Sequence, residues 1–379
     1  MNRLLRDALP LLGMEAGYAA AHLEIGPGRF LPGRLPTDEL AVGSVAAAGL
    51  AAEALLNTGR IDVNPAQVRV AMLGEQVQTI DGRRSEGFGP WSGFFPTAEG
   101  WLRTHANYSH HRAALANLLG LDPDAGREEL AAALCSQTAQ QVEERLMAAG
   151  GVAVRARQQA EWTASEAGRA ASGLRLVNVR AVGRARPRPL ERPKVLDLTR
   201  VVAGPVATRT LAYLGCDVLR VDDPNLPEVP EVHLDTGAGK RTTLLNLRRP
   251  ADLARLHELL AEADILVTGY RPGALARYGL DAETVAARYP SVIHASLSAW
   301  GPSGPWANRR GFDSIVQAAS GIAWAESADG VTPSVLPVQA LDHATGYLLA
   351  AGVLTALWRR EFEGRTWRVD AHLAATASW

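Results

Sequence analysis

Cysteine is almost missing from this sequence, which carries only Cys135 and Cys216 in 379 residues. Two thiols make neither a disulfide framework nor a four-cysteine zinc site, and a reducing cytoplasm is the setting they imply. Charge imbalance is missing too: 39 Lys and Arg face 40 Asp and Glu, a formal net charge of -1. Such a chain offers little field to a nucleic acid or an anionic membrane, and neither is expected as a partner. No uninterrupted apolar run reaches the length of a membrane span, about 20 residues. Asp7 and Glu15 interrupt the place of a signal-peptide core. Gly-x-Ser-x-Gly does not occur, so a serine-hydrolase elbow is not indicated. His105, His110 and His111 are close in sequence but lack partners at metal-ligand spacing; they read as a solvated helix start, and no metal is expected.

What the chain does have is apolar helix. Gln339-Ala340-Leu341-Asp342-His343-Ala344-Thr345-Gly346 leads into a mostly apolar run over 347–358. A helix with almost no polar face is a buried one, and an acid at its start lies at the positive end of the helix dipole. Asp342 is thus either a helix cap or a poised nucleophile. A similar helix is expected over 41–56, opening Ala41-Val42-Gly43-Ser44-Val45-Ala46-Ala47-Ala48-Gly49-Leu50. Set beside 344–353, Ala, Gly, Ala, Ala and Gly recur at the same places. Each helix follows an acid (Asp38-Glu39 and Asp342) and leads into a β-like run, Gln67-Val68-Arg69-Val70 and Trp367-Arg368-Val369-Asp370, as an internal repeat would.

Residues 1–36 are weakly patterned, and 81–93 form a glycine-rich turn region. A turn at Glu99-Gly100 between apolar runs predicts a hairpin; helices are expected over 112–119, 126–136, 138–149 and 159–171, with a short strand over 152–155. Prolines among basic residues mark 184–193 as a linker. Beyond it, apolar runs at 194–198, 215–222, 264–267 and 291–296 alternate with helical segments at βαβ spacing. The expected fold class is α/β, a Rossmann-like parallel sheet with helices on both faces, plus a smaller α+β domain. The domains expected are an N-terminal segment over 1–80, the small domain over 81–184 and a Rossmann-like domain over 185–379.

Two nucleotide motifs fail on inspection. Asp222-Asp223 ends the second strand where a ribose-binding acid would sit, but the first turn, Val202-Ala203-Gly204-Pro205, lacks the G-x-G-x-x-G that lets a pyrophosphate approach. Gly237-Ala238-Gly239-Lys240-Arg241-Thr242 mimics the end of a P-loop without its first glycine or its Mg²⁺-binding hydroxyl, though Lys240 and Arg241 suit a phosphate.

Six ordered blocks over 194–373 resemble the class III CoA-transferase family, the carnitine- and formyl-CoA-transferase superfamily. They begin with Val195-Leu196-Asp197-Leu198-Thr199-Arg200-Val201-Val202-Ala203-Gly204-Pro205 and Leu214-Gly215-Cys216-Asp217-Val218-Leu219-Arg220-Val221-Asp222. Gly239-Lys240-Arg241-Thr242-Thr243-Leu244 and Tyr270-Arg271-Pro272-Gly273-Ala274-Leu275 follow. The last are Gly311-Phe312-Asp313-Ser314-Ile315-Val316-Gln317-Ala318-Ala319-Ser320-Gly321 and Asp342-His343-Ala344-Thr345-Gly346. Phe95-Pro96-Thr97-Ala98-Glu99-Gly100-Trp101 resembles the family's small domain more loosely.

The resemblance implies that Asp342 is the nucleophile, and that CoA lies against Val201, Val202 and Ala203, Lys240, and Gly269, Tyr270 and Arg277. It implies transfer of CoA from an acyl-CoA thioester to a carboxylic acid through aspartyl anhydride and aspartyl-CoA thioester intermediates, with CoA as substrate, no prosthetic group, and a homodimer. The oxyanions of that route require donors, for which the loop Gly87–Gly93 is the local candidate. Trp300, Trp306 and Trp324 are candidate walls of the acceptor pocket. The superfamily's racemases use a His where this chain has Phe312, which counts against proton abstraction. The block order departs from the family: the small domain precedes the nucleotide-binding half, and the chain stops at Trp379 soon after the 367–370 run. The repeat suggests that 37–72 is the tail of another transferase half and that Asp38-Glu39 mark a second nucleophile position. An incomplete site, or a non-catalytic acyl-CoA-binding or oligomerisation partner, is the alternative.

Overall fold

Short β-branched runs recur through the second half of the chain, and those at 195–198, 265–268 and 293–295 are too apolar to remain solvated on either face. The computed structural model, which describes residues 1–84, 87–187 and 191–379, pairs them in one seven-stranded sheet. In chain order its strands are β1 (Asn178–Arg184), β2 (Lys194–Leu198), β3 (Asp217–Asp222), β4 (Lys240–Leu244), β5 (Ile265–Thr268), β6 (Ile293–Ser298) and β7 (Arg365–His372). Their spatial order is β4-β3-β2-β5-β6-β7-β1. Every neighbouring pair is parallel except β7 with β1. The order reverses between β2 and β5, so the loops leaving their carboxyl ends diverge and open a crevice. Residues 85–86 of the turn region and 188–190 of the linker lie outside the described residues.

Four helices frame that crevice or support the ones that do: α1 (Thr37–Leu56), α2 (Ala203–Tyr213), α3 (Asp313–Ser320) and α4 (Ala340–Phe362). α4 is the core. Leu348, Leu349, Val353, Leu354 and Leu357 are at most 1% exposed, and each such side chain contributes about 1.5–3 kcal/mol by leaving water. Two glycines allow the close approach this needs. A Cβ on Gly346 would stand 2.5 Å from the carbonyl oxygen of Ala203 in α2, and one on Gly352 would meet Val369 of β7 at 2.6 Å. α1 and α4 are each long and apolar enough to cross a membrane, which uninterrupted runs alone did not suggest; 94% of the α4 window is buried inside the protein. They pack against each other.

The same order of elements follows the two apolar helices, in a different register from the one the sequence predicts. Gln67-Val68-Arg69-Val70 is not a strand but part of the helix Pro65–Met72, because Pro65 occupies its first turn and the Asn64 side chain caps it. The strand after α1 is Ile61–Val63, pairing in parallel with Leu23–Ile25. Helix, strand and helix therefore follow one another after Thr37 as they do after Ala340, where β7 leads into the helix Leu373–Ser378. Asp38 does not face a site; it accepts the amides of Phe30 and Leu31.

The smaller body has its own core of Trp91, Phe95, Leu102, Leu115, Leu130, Leu134, Val142 and Leu146. The hairpin forms as Gly93–Pro96 and Trp101–Thr104, and Ala153–Arg155 adds a third strand. The helix expected over 159–171 is two, broken at Ser165, whose hydroxyl caps the second by accepting from Gly168 N–H. β1, within the stretch assigned to the small domain, pairs instead with the edge of the large sheet.

Candidate active site

The β2–α2 loop is held out of its relaxed shape. Val201 has φ +68°, a left-handed conformation that is a rare strain for a β-branched residue and that marks functional loops. Its N–H donates to Glu228 Oε2 at 2.8 Å. The same carboxylate accepts the Tyr108 hydroxyl and lies 3.5 Å from Arg200. Glu228 thus ties the loop to the small body, and these partners hold its carboxyl below the usual range against the opposing effect of burial.

Asp342 stands in the first turn of α4, 6% exposed. Its backbone N–H donates to Asp313 Oδ2 at 2.9 Å. Asp313, on α3, also accepts from Gln317 Nε2, while Gln317 Oε1 accepts the Leu336 amide at 2.9 Å. Burial, then the charges of Asp313 and Glu75, push the Asp342 carboxyl well above its ordinary value. Burial likewise raises Asp313, to about 6. A carboxylate stripped of water beside like charges is more basic, and therefore a better nucleophile, than a solvated one. His343 is fully buried, with Nε2 3.1 Å from Glu75 Oε2, so the N-terminal segment reaches the residue next to the acid.

A cavity of about 480 Å³ opens at the crevice between β2 and β5, and Asp342 lines it. Val201, Ala203, Gly269, Tyr270 and Arg277 line it with Asp342. Val202 does not: it is buried as the residue before α2. Lys240 does not either. Its ammonium donates to Asp197 Oδ2 at 3.2 Å, Pro205 O at 3.0 Å and Thr208 Oγ1 at 2.7 Å. With three donors committed and the side chain fully buried, it is a structural cation rather than a phosphate grip. Lys240→Met should therefore cost about 3 kcal/mol of stability in denaturant unfolding, by stranding the Asp197 carboxylate, while CoA affinity stays within about threefold. Loss of CoA affinity without loss of stability would restore the phosphate role.

The cations that do reach the cavity are Arg200, Arg248, Arg271, Arg277, Arg309 and Arg310. Most escaped the sequence reading because arginines scattered over several loops carry no spacing signal. Asp222 also lines the cavity, but the buried Arg220 grips it in a bidentate pair at 2.8 and 2.9 Å, which removes it as a ribose acceptor. Trp300 and Trp306 stack edge-to-face at 4.7 Å away from the cavity, Trp324 donates to Ala156 O, and none of the three lines it. The Gly87–Gly93 loop does not line it either; Trp91 anchors that loop in the small core, and Phe88 meets His105 edge-on at 6.5 Å.

The histidines correct the sequence reading most. His105 and His111 are 4% and 3% exposed, not solvated. His105 stacks on Phe312 at 3.7 Å between ring centroids, and His110 and His111 line the cavity. Burial pushes His111 down to about 3 and, elsewhere, His294 and His372 to about 4. With an unfolded value near 6.5, the unfolded chain binds more protons below that pH, so stability falls as pH drops from about 6.5 toward 4. Asp313 and Asp342, shifted upward, work in the opposite direction over part of the same window. Because the histidines outnumber them, acidification from pH 7 to 5 should remove at least about 2 kcal/mol net. Urea midpoints at the two pH values check this, and an unchanged midpoint would refute it.

The family model and the curated relatives that the sequence matches are all of one kind. The family model described as CoA-transferase family III matches residues 190–379. The chain is 35% identical over 198 residues to the acetyl-coenzyme A transferase nodX of Hypoxylon pulicicidum, covering 51% of this chain and 33% of that one. It is 33% identical over 190 residues to the probable fatty acyl-CoA transferase Rv3272 of Mycobacterium tuberculosis, covering 47% and 48%. Against the formyl-CoA:oxalate CoA-transferase of Bradyrhizobium sp. (strain ORS 278) identity is 33% over 194 residues, covering 48% and 45%. A crystal structure of Rv3272 superposes with TM-score 0.47 at 30% identity, covering 52% of this chain and 57% of that one. The chain spans about half or less of the length of these curated relatives.

Proposed function

Because this chain belongs to CoA-transferase family III, we propose that it moves coenzyme A from an acyl-CoA thioester to a carboxylic acid, with Asp342 as the covalent nucleophile. One observation carries the reading: the family's acid lines a cavity at the mouth of the reversed strand order, desolvated and fixed by Asp313. In this reading the large sheet is a Rossmann-like base for CoA. The N-termini of α2, α3 and α4 border the cavity through Ala203, Phe312 and Asp342, and their partial positive charges suit a reaction whose tetrahedral oxyanions and leaving groups carry negative charge.

The Asp342 carboxylate attacks the thioester carbonyl, forming an acyl-aspartyl anhydride and releasing CoA as thiolate. The thiolate attacks the aspartyl carbonyl of the anhydride, forming an aspartyl-CoA thioester and releasing the donor acid. The acceptor carboxylate attacks that thioester, giving a second anhydride and thiolate; return of the thiolate to the acceptor's carbonyl frees Asp342. Each step exchanges one leaving group for one nucleophile, so no external acid or oxidant is needed.

Incubation with short and medium acyl-CoAs, hydroxylamine trapping and peptide mass measurement test this. An acyl or CoA adduct on the Asp342 peptide is expected. CoA binding in a titration with no adduct from any donor would leave an acyl-CoA-binding protein instead.

A further inference from the structure

The cavity wall carries positive charge that no carboxylate among the described residues answers. Arg200 and Arg309 face the cavity but are neutralised: Glu228 lies 3.5 Å from Arg200, and Glu143 Oε1 lies 2.9 Å from Arg309. Arg310, the next residue, is different. It gives one donor to Gly150 O at 2.9 Å, and no carboxylate among the described residues lies within ion-pair distance of it. Beside it is His111, 3% exposed, with neither ring nitrogen bonded to any group. Leaving a buried polar group unsatisfied costs about 1–3 kcal/mol, so an uncompensated imidazole beside an uncompensated guanidinium is a site whose partner comes from solution.

The position is informative. Arg310 lies three residues before Asp313, whose carboxylate holds the Asp342 amide. Phe312, between them, meets the His111 ring edge-on at 5.7 Å. His111, Arg310 and Asp342 therefore line one cavity, the pair on the segment that leads into Asp313 and on the small-body helix facing it. Arg248 and Arg277 enter the cavity from loops beyond β4 and β5. A guanidinium with free edges and a neutral N–H together match the two oxygens of a carboxylate.

We propose that His111 and Arg310 form the seat that holds the carboxylate of the acid receiving CoA, aligned toward the aspartyl-CoA thioester on Asp342. The proposal rests on the transferase reading for the identity of the acid. The seat itself is an anion site that can be measured without turnover. Because the imidazole belongs to the small body and the guanidinium to the large one, an acid bound here adds a bridge to those that Glu228 and Glu143 already make between them. Burial and the neighbouring cations keep His111 neutral when the seat is empty, so an arriving carboxylate favours proton uptake.

The test uses the full-length chain with ¹⁵N-labelled histidine, carrying Asp342→Asn so that nothing reacts. The His111 ring signal is assigned by its loss in His111→Gln. Titration with formate, acetate and succinate is expected to shift that signal, and the shift should vanish in Arg310→Met and return in part in Arg310→Lys. In the reactive protein, Arg310→Met should raise KM for the acceptor acid at least about tenfold while adduct formation from acyl-CoA alone stays within about twofold. A His111 signal that ignores all three carboxylates to about 50 mM, or that moves with CoA alone and not with them, overturns the seat. Failure to form any Asp342 adduct would instead sink the transferase reading, and the titration would still decide whether the anion site exists.

Discussion

Asp342→Ala should lower CoA exchange by at least about 10,000-fold and erase the trapped adduct. Removal of a covalent nucleophile typically leaves only the catalysis supplied by binding and by oxyanion donors. The fold should tolerate the change. Asp342 is buried, its carboxyl is raised, and its backbone N–H, rather than its side chain, makes the bond to Asp313. Deleting a desolvated carboxylate removes a repulsion with Asp313 and Glu75, so the variant should melt at or above the parent temperature. Lost activity with retained or raised stability is the signature of a functional acid. Lost activity with a large drop in melting temperature would return Asp342 to the role of a helix cap.

Asp313 is expected to have the second largest effect, through position and charge together. Asp313→Ala removes the acceptor for the Asp342 amide and strands Gln317, which also holds Leu336. A misplacement of the nucleophile by about 1 Å can cost about 100-fold, and kcat should fall by roughly that factor with little change in KM for the thioester. Asp313→Asn separates the two contributions. Its amide oxygen can still accept from Asp342 N–H, but the like charge is gone, so the Asp342 carboxyl loses protons at lower pH. The acid limb of the kcat profile should therefore move to lower pH, the direction opposite to the shift Asp313 now imposes. A profile unchanged in both variants would show that the two carboxylates do not communicate.

The parallel sheet was legible in the sequence because its strands are apolar on both faces and alternate with helices, a pattern only a covered sheet needs. β5 and β6 fall within two residues of their expected bounds. β1 was not legible: Asn178–Arg184 is mostly exposed, and it is a strand because the edge of β7 offers it hydrogen bonds. Gln67-Val68-Arg69-Val70 alternates like a strand, but Asn64-Pro65 caps it into helix, so local capping outweighed periodicity. In the site, Asp342 stood out because it opens an apolar helix, but that helix suits a cap as well as a nucleophile, and the family resemblance chose between them. Lys240 was misleading because a lysine beside glycine looks like a phosphate ligand until the buried Asp197 is seen beneath it. His111, Arg310 and Glu75 could not be gathered from sequence at all, since three separate segments bring them to the cavity or to the residue beside Asp342.

The contact between α1 and α4 joins distant parts of the chain through two helices that are buried and rich in alanine. A methyl group gained on one helix needs a methyl group lost on the other. Substitutions in 37–56 and in 340–362 should therefore accumulate in compensating pairs. The N-terminal segment and the helix that carries Asp342 would then drift through evolution as one inherited piece, and an N-terminus grafted from a distant relative would unsettle the acid while touching none of the residues around it.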